Sequence, residues 1–214
     1  MENYLNYLHS IESKHTGFDH NKLDVLCDSR VFLVDWIVQS GSNLGLMSET
    51  VYLSVNIMDK VFSKITVEKT HFKLVALLSL VIAHKYYEEK QFSIDVFMSL
   101  AGNLYDKKQV LRTELRILRL LDYDLTVPTS TNFLDPILDM SDCSEEEYNM
   151  ACLVLDYSLF DHVFLKFKPS VLAYAAVCCA KYLNNNYHFN IDRYQNAESH
   201  DCITSLFKSF YSSS

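Results

Sequence analysis

The feature that most constrains this sequence is a continuous apolar segment in its middle, residues 74–89, which reads LVALLSLVIAHKYYEE. Apart from Ser79, residues 74–83 are apolar, and at helical period their side chains surround the helix on every side. Such a helix must be buried all round, yet it is too short to cross a bilayer, which requires about 20 apolar residues. The segment therefore predicts the central helix of a helical domain. Lys85 and two tyrosines follow at its end, where the helix dipole alone would also favour a lysine.

The composition favours a helical protein and argues against several classes of function. Hydrophobic residues make up 49% of the 214 residues, whereas there are only 4 glycines and 3 prolines, too few for the turns of a many-stranded sheet. The net charge of −8, with no cluster of four or more lysines and arginines, argues against sequence-independent nucleic-acid binding. The cysteines and histidines show no metal-binding spacing, and no catalytic motif is present. We therefore expect no metal, no cofactor and no enzymatic activity.

Helical periodicity predicts further helices around the central segment. Residues 3–11 predict a short amphipathic helix that docks either on the rest of the chain or on a partner, and its apolar stripe consists of Tyr4, Leu5, Tyr7, Leu8 and Ile11. The other predicted helices cover residues 30–44, a segment opened by Ser48 and Glu49, the central segment from about Val67, residues 92–100 and residues 107–121. The buried side of the last helix is predicted to consist of Val110, Leu111, Leu115, Leu118 and Leu121.

The second half of the chain repeats the pattern of the first. At an offset of 96 residues, Lys85 aligns with Lys181, and residues 171–180 form a second apolar segment. Val127 precedes a proline, which pushes residue 127 out of helical conformation, so we place a domain boundary there. The predicted domains are an N-terminal helix with a linker at residues 1–28, a first helical domain at 29–127 and a second at 128–214.

Several blocks of the first half resemble the helices of the cyclin box. Residues 29–39 (SRVFLVDWIVQ) are similar to its first helix, residues 49–63 to its second, residues 74–89 to its third and residues 107–114 (KKQVLRTE) to its fifth. These blocks occur in family order and with family spacing over nearly all of residues 1–130. The second half resembles the C-terminal cyclin box more loosely, around Phe133, Leu134 and residues 169–171.

The chain is accordingly identified as a divergent member of the cyclin family. The resemblance implies an all-α fold with two tandem five-helix cyclin-box domains preceded by a short N-terminal helix. Gln39 and residues 155–157 favour the A/B type, and within it the mitotic B-type branch. Because the sequence starts almost at its first helix, we expect no N-terminal regulatory leader and no degradation through an Arg-x-x-Leu signal in such a leader.

The resemblance also implies a function and a partner. Cyclins bind a cyclin-dependent protein kinase and activate it, which implies a regulatory subunit in cell-cycle control, in mitosis at G2/M, that forms a heterodimer with the kinase. Lys85 and Glu114 match the family's kinase-anchoring pair, and Tyr86 and Tyr123 match neighbouring aromatic positions. The alternative for Glu114 is a solvated helix carboxylate that pairs with Lys107 or a nearby arginine. We expect no nucleic-acid or membrane partner.

Two further positions imply an architectural ion pair. Arg30 and Asp59 match family positions that pair inside the first box and fix its first helix against its second. Removal of one partner from such a buried pair costs about 3–5 kcal/mol. A loss of kinase activation in an Arg30 variant would therefore not by itself identify a contact site.

A substrate-docking patch is less well preserved. In many cyclins an exposed apolar patch, flanked by an acid and a glutamine, holds Arg-x-Leu peptides. The matching positions are Ser29, Phe32, Leu33, Trp36, Gln39, Phe72 and Lys73. Ser29 replaces the usual methionine, Gln39 lacks the acid, and Lys73 replaces the glutamine. Because a lysine would repel the arginine of the peptide, we expect weak or altered docking of substrate peptides. The alternative for Trp36 is a purely structural place in the core.

Two other functions stay open from the sequence alone. One is a transcription-related cyclin or a general transcription factor of the same fold, which a basic surface stripe would favour and the acidic net charge disfavours. The other is a cyclin-fold adaptor that binds a different partner, or a kinase without activating it. Since no polybasic nuclear signal is present, nuclear entry would need a partner, and we expect a location in nucleus and cytoplasm.

Overall fold

The computed structural model describes residues 2–12, 26–141, 143–184 and 196–212, and the regular secondary structure of this part of the chain is entirely helical, without a strand. The α-helices are α1 (Glu2–Glu12), α2 (Cys27–Leu44), α3 (Ser48–Lys64), α4 (Phe72–Tyr87), α5 (Ile94–Leu100), α6 (Lys107–Leu120), α7 (Ser130–Asp139), α8 (Glu145–Phe160), α9 (Pro169–Leu183) and α10 (Ala197–Ser212). Short 3-10 turns cover Lys69–His71 and His162–Lys166. The all-α prediction is confirmed. No described helix is long and apolar enough to span a membrane.

The chain forms two compact units. One contains residues 17–127, and the other combines residues 128–214 with residues 1–16. The N-terminal helix α1 thus belongs to the unit formed by the second half of the chain, where it packs against α7.

Helix α4 is the centre of the first unit. Its side chains from Leu74 to His84 are all buried, as the continuous apolar segment predicts, and it packs against α2, α3, α5 and α6. The helix begins at Phe72 rather than near Val67, because residues 68–71 are polar and exposed and form only a 3-10 turn. Close packing of α2 on α3 depends on Gly41, where an added Cβ would lie 2.6 Å from a methyl group of Val51.

The buried side of α6 agrees with the prediction only in part, at Val110 and at Leu121 just past the helix end. Val110, Glu114 and Ile117 face the interior, whereas Leu111 and Leu115 are 49% and 41% exposed. Both sets of residues have helical spacing, so periodicity alone could not choose between them. Packing against α4 selects the set that contains Glu114, and the exposed leucines form a second apolar stripe.

Helix α1 buries only part of its predicted stripe, together with a carboxylate that was not predicted. Leu5, Leu8 and Glu12 are buried, while Tyr4 and Tyr7 are about half exposed. Burial of Glu12 was not predicted, because a buried carboxylate requires hydrogen-bond donors and its buried donors lie far away in sequence.

That partner is the N-terminus of α9, the central helix of the second unit. The Glu12 carboxylate accepts hydrogen bonds from the backbone N–H of Ser170 at 2.7 Å and from its hydroxyl at 2.8 Å. A carboxylate in this position satisfies a helix N–H and complements the helix dipole. Helix α9 is buried along most of its length and packs against α7, α8 and α10, which confirms the predicted second central helix.

Candidate functional site

Lys85 and Glu114 form an ion pair between α4 and α6, with 2.5 Å between Nζ and Oε1. Lys85 lies in the last turn of α4, where the helix dipole favours a cation. The Glu114 side chain is only 11% exposed, whereas that of Lys85 is 50% exposed. Lys107, the alternative partner considered for Glu114, instead pairs with Asp95 at 3.2 Å. The structure therefore fixes the acid and leaves the ammonium group accessible.

The chemistry of this pair suits it to an external partner. An ammonium group has three donors, so the contact to Glu114 leaves Lys85 able to donate to acceptors outside the chain. An ion pair with one half-exposed member contributes little to folding, typically about 0–1 kcal/mol. The pair thus presents a donor and an acceptor side by side at the surface, without being a major source of stability.

Exposed apolar side chains accompany the pair. Tyr86 follows Lys85 directly and is 44% exposed, and its ring packs edge-on against Tyr87 with 5.0 Å between centroids. Leu111 and Leu115 lie one turn before and one residue after Glu114 on α6. Leu111 and Leu115 are four residues apart and each follows a buried residue, Val110 or Glu114. This spacing places the two leucines on one side of the helix, and it could have indicated the exposed stripe from the sequence. Large exposed apolar side chains around a charged pair are typical of a protein-binding surface.

Tyr123 lies just beyond the end of α6 in an unusual backbone conformation. Its φ is 57°, in the left-handed region that bulky residues rarely adopt, and the preceding Asp122 has φ of 53°. The Tyr123 N–H donates to the Leu118 carbonyl at 2.9 Å and closes the helix. The turn directs the Tyr123 side chain into solvent, where it is 59% exposed.

Arg30 and Asp59 form a buried bidentate pair between α2 and α3. Arg30 Nε donates to Oδ1 and Arg30 Nη2 donates to Oδ2, both at 2.8 Å. The side chains are 2% and 0% exposed. The contact has the geometry that was expected of an architectural pair, and neither group is available to a partner.

The predicted docking patch is only partly exposed. Phe32 is 75% exposed and Trp36 is half-buried, so Trp36 is not wholly a core residue. Leu33 and Phe72 are buried, and Phe72 packs on Phe62 in the core with ring centroids 5.1 Å apart. Phe32, Leu33, Trp36 and Phe72 were expected to form an exposed apolar surface. This expectation is wrong for Leu33 and Phe72, because their side chains pack in the core.

The charged rim of this patch contains a carboxylate that was not predicted. Gln39 donates to Asp35 Oδ2 at 2.8 Å, so Asp35 supplies an acid one turn before Gln39. The spacing of four residues on a helix was the available signal. Lys73 Nζ lies 5.6 Å from the centroid of the Trp36 ring, and this cation–π contact places its positive charge directly on the patch. Ser29 lies half-buried near the start of α2.

No group of three or more histidine, cysteine, aspartate or glutamate side chains suited to a metal ion occurs among the described residues.

Comparison with known proteins identifies both halves of the chain. Residues 3–126 match the family described as "Cyclin, N-terminal domain", and residues 128–214 match "Cyclin, C-terminal domain". Cyclin-A1 of Mus musculus is 36% identical over 187 residues, which cover 86% of this chain and 44% of that protein. G2/mitotic-specific cyclin-A of Spisula solidissima is 33% identical over 185 residues, covering 85% and 44%. The chain thus spans less than half the length of these relatives.

Solved structures agree with this fold. A viral cyclin from herpesvirus saimiri superposes with a TM-score of 0.79 at 17% identity and covers 95% of both chains. A chain of the yeast RNA Pol II CTD kinase CTDK-1 complex superposes with a TM-score of 0.76 at 16% identity, covering 98% of this chain and 72% of that one. The tandem cyclin-box fold and the A/B type are confirmed. The relatives quoted carry cyclin-A names, whereas the sequence had favoured the B-type branch. The chain belongs to the cyclin family.

Proposed function

We propose that this chain is a regulatory subunit that binds a cyclin-dependent protein kinase and activates it. The observation that carries the proposal is the Lys85–Glu114 pair, in which a fixed carboxylate holds an accessible ammonium group at the surface. Both residues stand at the positions of the family's kinase anchor. The names of the relatives, all cyclins, and the kinase complex among the structural neighbours support the same partner.

The pair can act on a kinase by holding one of its helices. Kinase catalysis needs an ion pair between a lysine on a strand and a glutamate on a mobile helix. Lys85 would donate to main-chain carbonyls near the base of that helix, and Glu114 would accept from a main-chain N–H. A subunit that binds the active placement of the helix better than the inactive one shifts the kinase toward the active state.

The exposed apolar groups would supply much of the contact area. Tyr86, Tyr123, Leu111 and Leu115 are each between 41% and 59% exposed. Aromatic anchors that surround a charged contact exclude water from it and so strengthen it. The accessible charge and the apolar stripe of α6 together form a surface suited to a helix of the partner.

We further propose that the kinase complex acts in mitosis at G2/M. The support is the name of the Spisula relative, a G2/mitotic-specific cyclin-A, at 33% identity. Kinase activity that follows this chain through a synchronised cell cycle, with a peak at G2/M, is the expected result. A constant level of associated kinase activity would contradict this part of the proposal.

The test is a pull-down with purified cyclin-dependent kinases followed by a histone-type kinase assay. We expect Lys85→Ala and Glu114→Ala each to weaken kinase binding by about 2–5 kcal/mol, since each leaves a partner group desolvated and unpaired. Lys107→Ala is the matched control. Lys107 lies on the same helix as Glu114, and its replacement breaks a solvent-exposed ion pair with Asp95. Failure of the chain to bind any such kinase, or equal losses for control and test variants, would refute the proposal.

A further inference from the structure

Helix α6 carries a row of cations beside its exposed leucines, on the side opposite Glu114. Lys108, Arg112 and Arg116 follow one another at intervals of four residues and are all exposed, with Arg119 close to the same line. Side chains four residues apart on a helix lie on one face. The row is not contiguous in the sequence, because three other residues separate each cation from the next.

These cations make no ion pair with any residue in the described part of the chain, although acidic residues outnumber basic ones by 27 to 19. On the same helix Lys107 does find a carboxylate, that of Asp95. Like charges at intervals of four residues repel one another and destabilise a helix. An unbalanced row of this kind in an acidic protein is therefore a candidate site for an anionic ligand.

The row borders a surface depression of about 310 Å³. Its lining consists of Asp106, Lys108, Gln109, Arg112, Thr113 and Arg116. The only acid in this lining, Asp106, already accepts the Gln109 backbone N–H at 2.8 Å as the N-cap of α6. The remaining lining groups are donors: two guanidinium groups one turn apart, an ammonium group, a side-chain amide and a hydroxyl group.

The depression lies on the side of α6 opposite the Lys85–Glu114 pair, and it borders the exposed Leu111 and Leu115. Arg112 and Arg116 are two residues before and after Glu114, and residues two apart on a helix point to opposite sides. Glu114 faces α4, so the two arginines face away from it. An occupant of the depression would leave the Lys85–Glu114 pair accessible.

We propose that this basic face of α6 binds a phosphorylated, acidic segment of another protein. Planar guanidinium groups bind phosphate oxygens in a bidentate way, and two of them one turn apart can hold one phosphate and a neighbouring carboxylate. The row from Lys108 to Arg116 is only about 12 Å long, at 1.5 Å per residue. That length suits a short peptide, whereas nucleic-acid binding relies on neutralising many phosphates along a strand and is disfavoured by the net charge of −8.

The test uses fluorescence anisotropy with the intact chain and a labelled peptide that carries one phosphoserine flanked by glutamates. We expect the phosphopeptide to bind at least about tenfold more tightly than its unphosphorylated form, and Arg112→Gln/Arg116→Gln to remove that preference, since charge-assisted hydrogen bonds are lost. Arg112→Lys/Arg116→Lys keeps the positive charges but loses the planar guanidinium groups that bind phosphate in a bidentate way, so an intermediate affinity is expected. The matched control is Lys69→Gln/Lys90→Gln, which removes two exposed cations that lie outside the depression and should leave binding unchanged.

Circular dichroism of each variant separates unfolding from loss of the site. Equal affinity for the two peptides, or an equal effect of the test and control variants, would overturn the proposal. Tighter binding of single-stranded DNA of matched charge, lost in the same arginine variant, would also overturn it and point to a nucleic-acid surface. Because the readout is peptide binding without a kinase, failure here would leave the proposed kinase function untouched.

Discussion

The buried pair of Arg30 and Asp59 allows stability and partner binding to be separated by mutation. Asp59→Ala removes both carboxylate oxygens, so the guanidinium group of Arg30, which is 2% exposed, loses the two hydrogen bonds of 2.8 Å that it donates to Asp59. Water cannot reach the group without opening the contact between α2 and α3. We therefore expect a large loss of stability in the first unit.

The magnitude follows from the burial of both partners. Breaking a buried ion pair from one side typically costs about 3–5 kcal/mol, because one charge stays desolvated and unpaired. Replacing both partners by apolar groups of similar size is often neutral or even stabilising. The double variant Arg30→Met/Asp59→Leu should therefore recover most of the stability that Asp59→Ala loses.

Urea unfolding followed by tryptophan fluorescence measures this directly. The only tryptophan, Trp36, lies on α2 together with Arg30, so its emission reports on the unit that contains the pair. The reasoning would be refuted if Asp59→Ala lost less than about 1 kcal/mol, the value typical of an exposed pair, or if the double variant were as unstable as the single one. Kinase binding by the folded double variant should equal that of the wild type, since neither residue reaches the surface.

Three further outcomes are expected from the geometry. Glu12→Ala should lower the free energy of unfolding of the second unit by about 1–3 kcal/mol, because the Ser170 N–H and hydroxyl lose a buried acceptor; thermal denaturation checks this, and an unchanged midpoint would contradict it. Burial lowers the pKa of His84 below its ordinary 6.5, so below about pH 6.5 the unfolded chain binds a proton that the folded chain does not, and stability falls with the pH. Urea midpoints between about pH 7.5 and 5.5 should show this fall, and a His84→Asn variant should show less of it. Finally, Lys73→Gln should strengthen binding of an Arg-x-Leu peptide several-fold in a titration by removing a positive charge from the patch, whereas tight wild-type binding that Trp36→Ala abolishes would contradict the expected weak docking.

The sequence was most informative where burial is complete. A helix that is apolar on every side must be buried on every side. Helices α4 and α9 were therefore predicted as central helices, and the structure shows them as such. The start of α4 was placed five residues too early, at Val67 instead of Phe72, since the polar turn before it can also form helical hydrogen bonds.

The sequence was least informative where a residue's partner lies far away in the chain. On α6 two sets of residues compete at equal spacing, and only packing against another helix, α4, decides which set is buried. On α1 one of the buried residues is a carboxylate, Glu12, whose buried hydrogen bonds come from Ser170, 158 residues later. Periodicity describes one helix at a time, so it carries no information about such contacts.

The two halves of the chain show why only the first keeps its lysine exposed. Lys85 and Lys181 occupy matching positions near the ends of α4 and α9, but the Lys181 side chain is 2% exposed and contacts Glu147 Oε2 at 3.1 Å.

The difference comes from how the preceding helix is capped. In the second half, Glu147 belongs to α8 and accepts the N-cap N–H of that helix, that of Ser144, at 3.0 Å. In the first half the corresponding N-cap N–H, that of Met47, is satisfied at 2.8 Å by Glu88, which lies just past the end of α4. The acid that caps α3 therefore lies beyond Lys85 in the chain, and α3 contributes no carboxylate to hold that lysine inward. Lys85 instead pairs with Glu114 at the surface, so the first half alone combines an accessible lysine with a fixed acid.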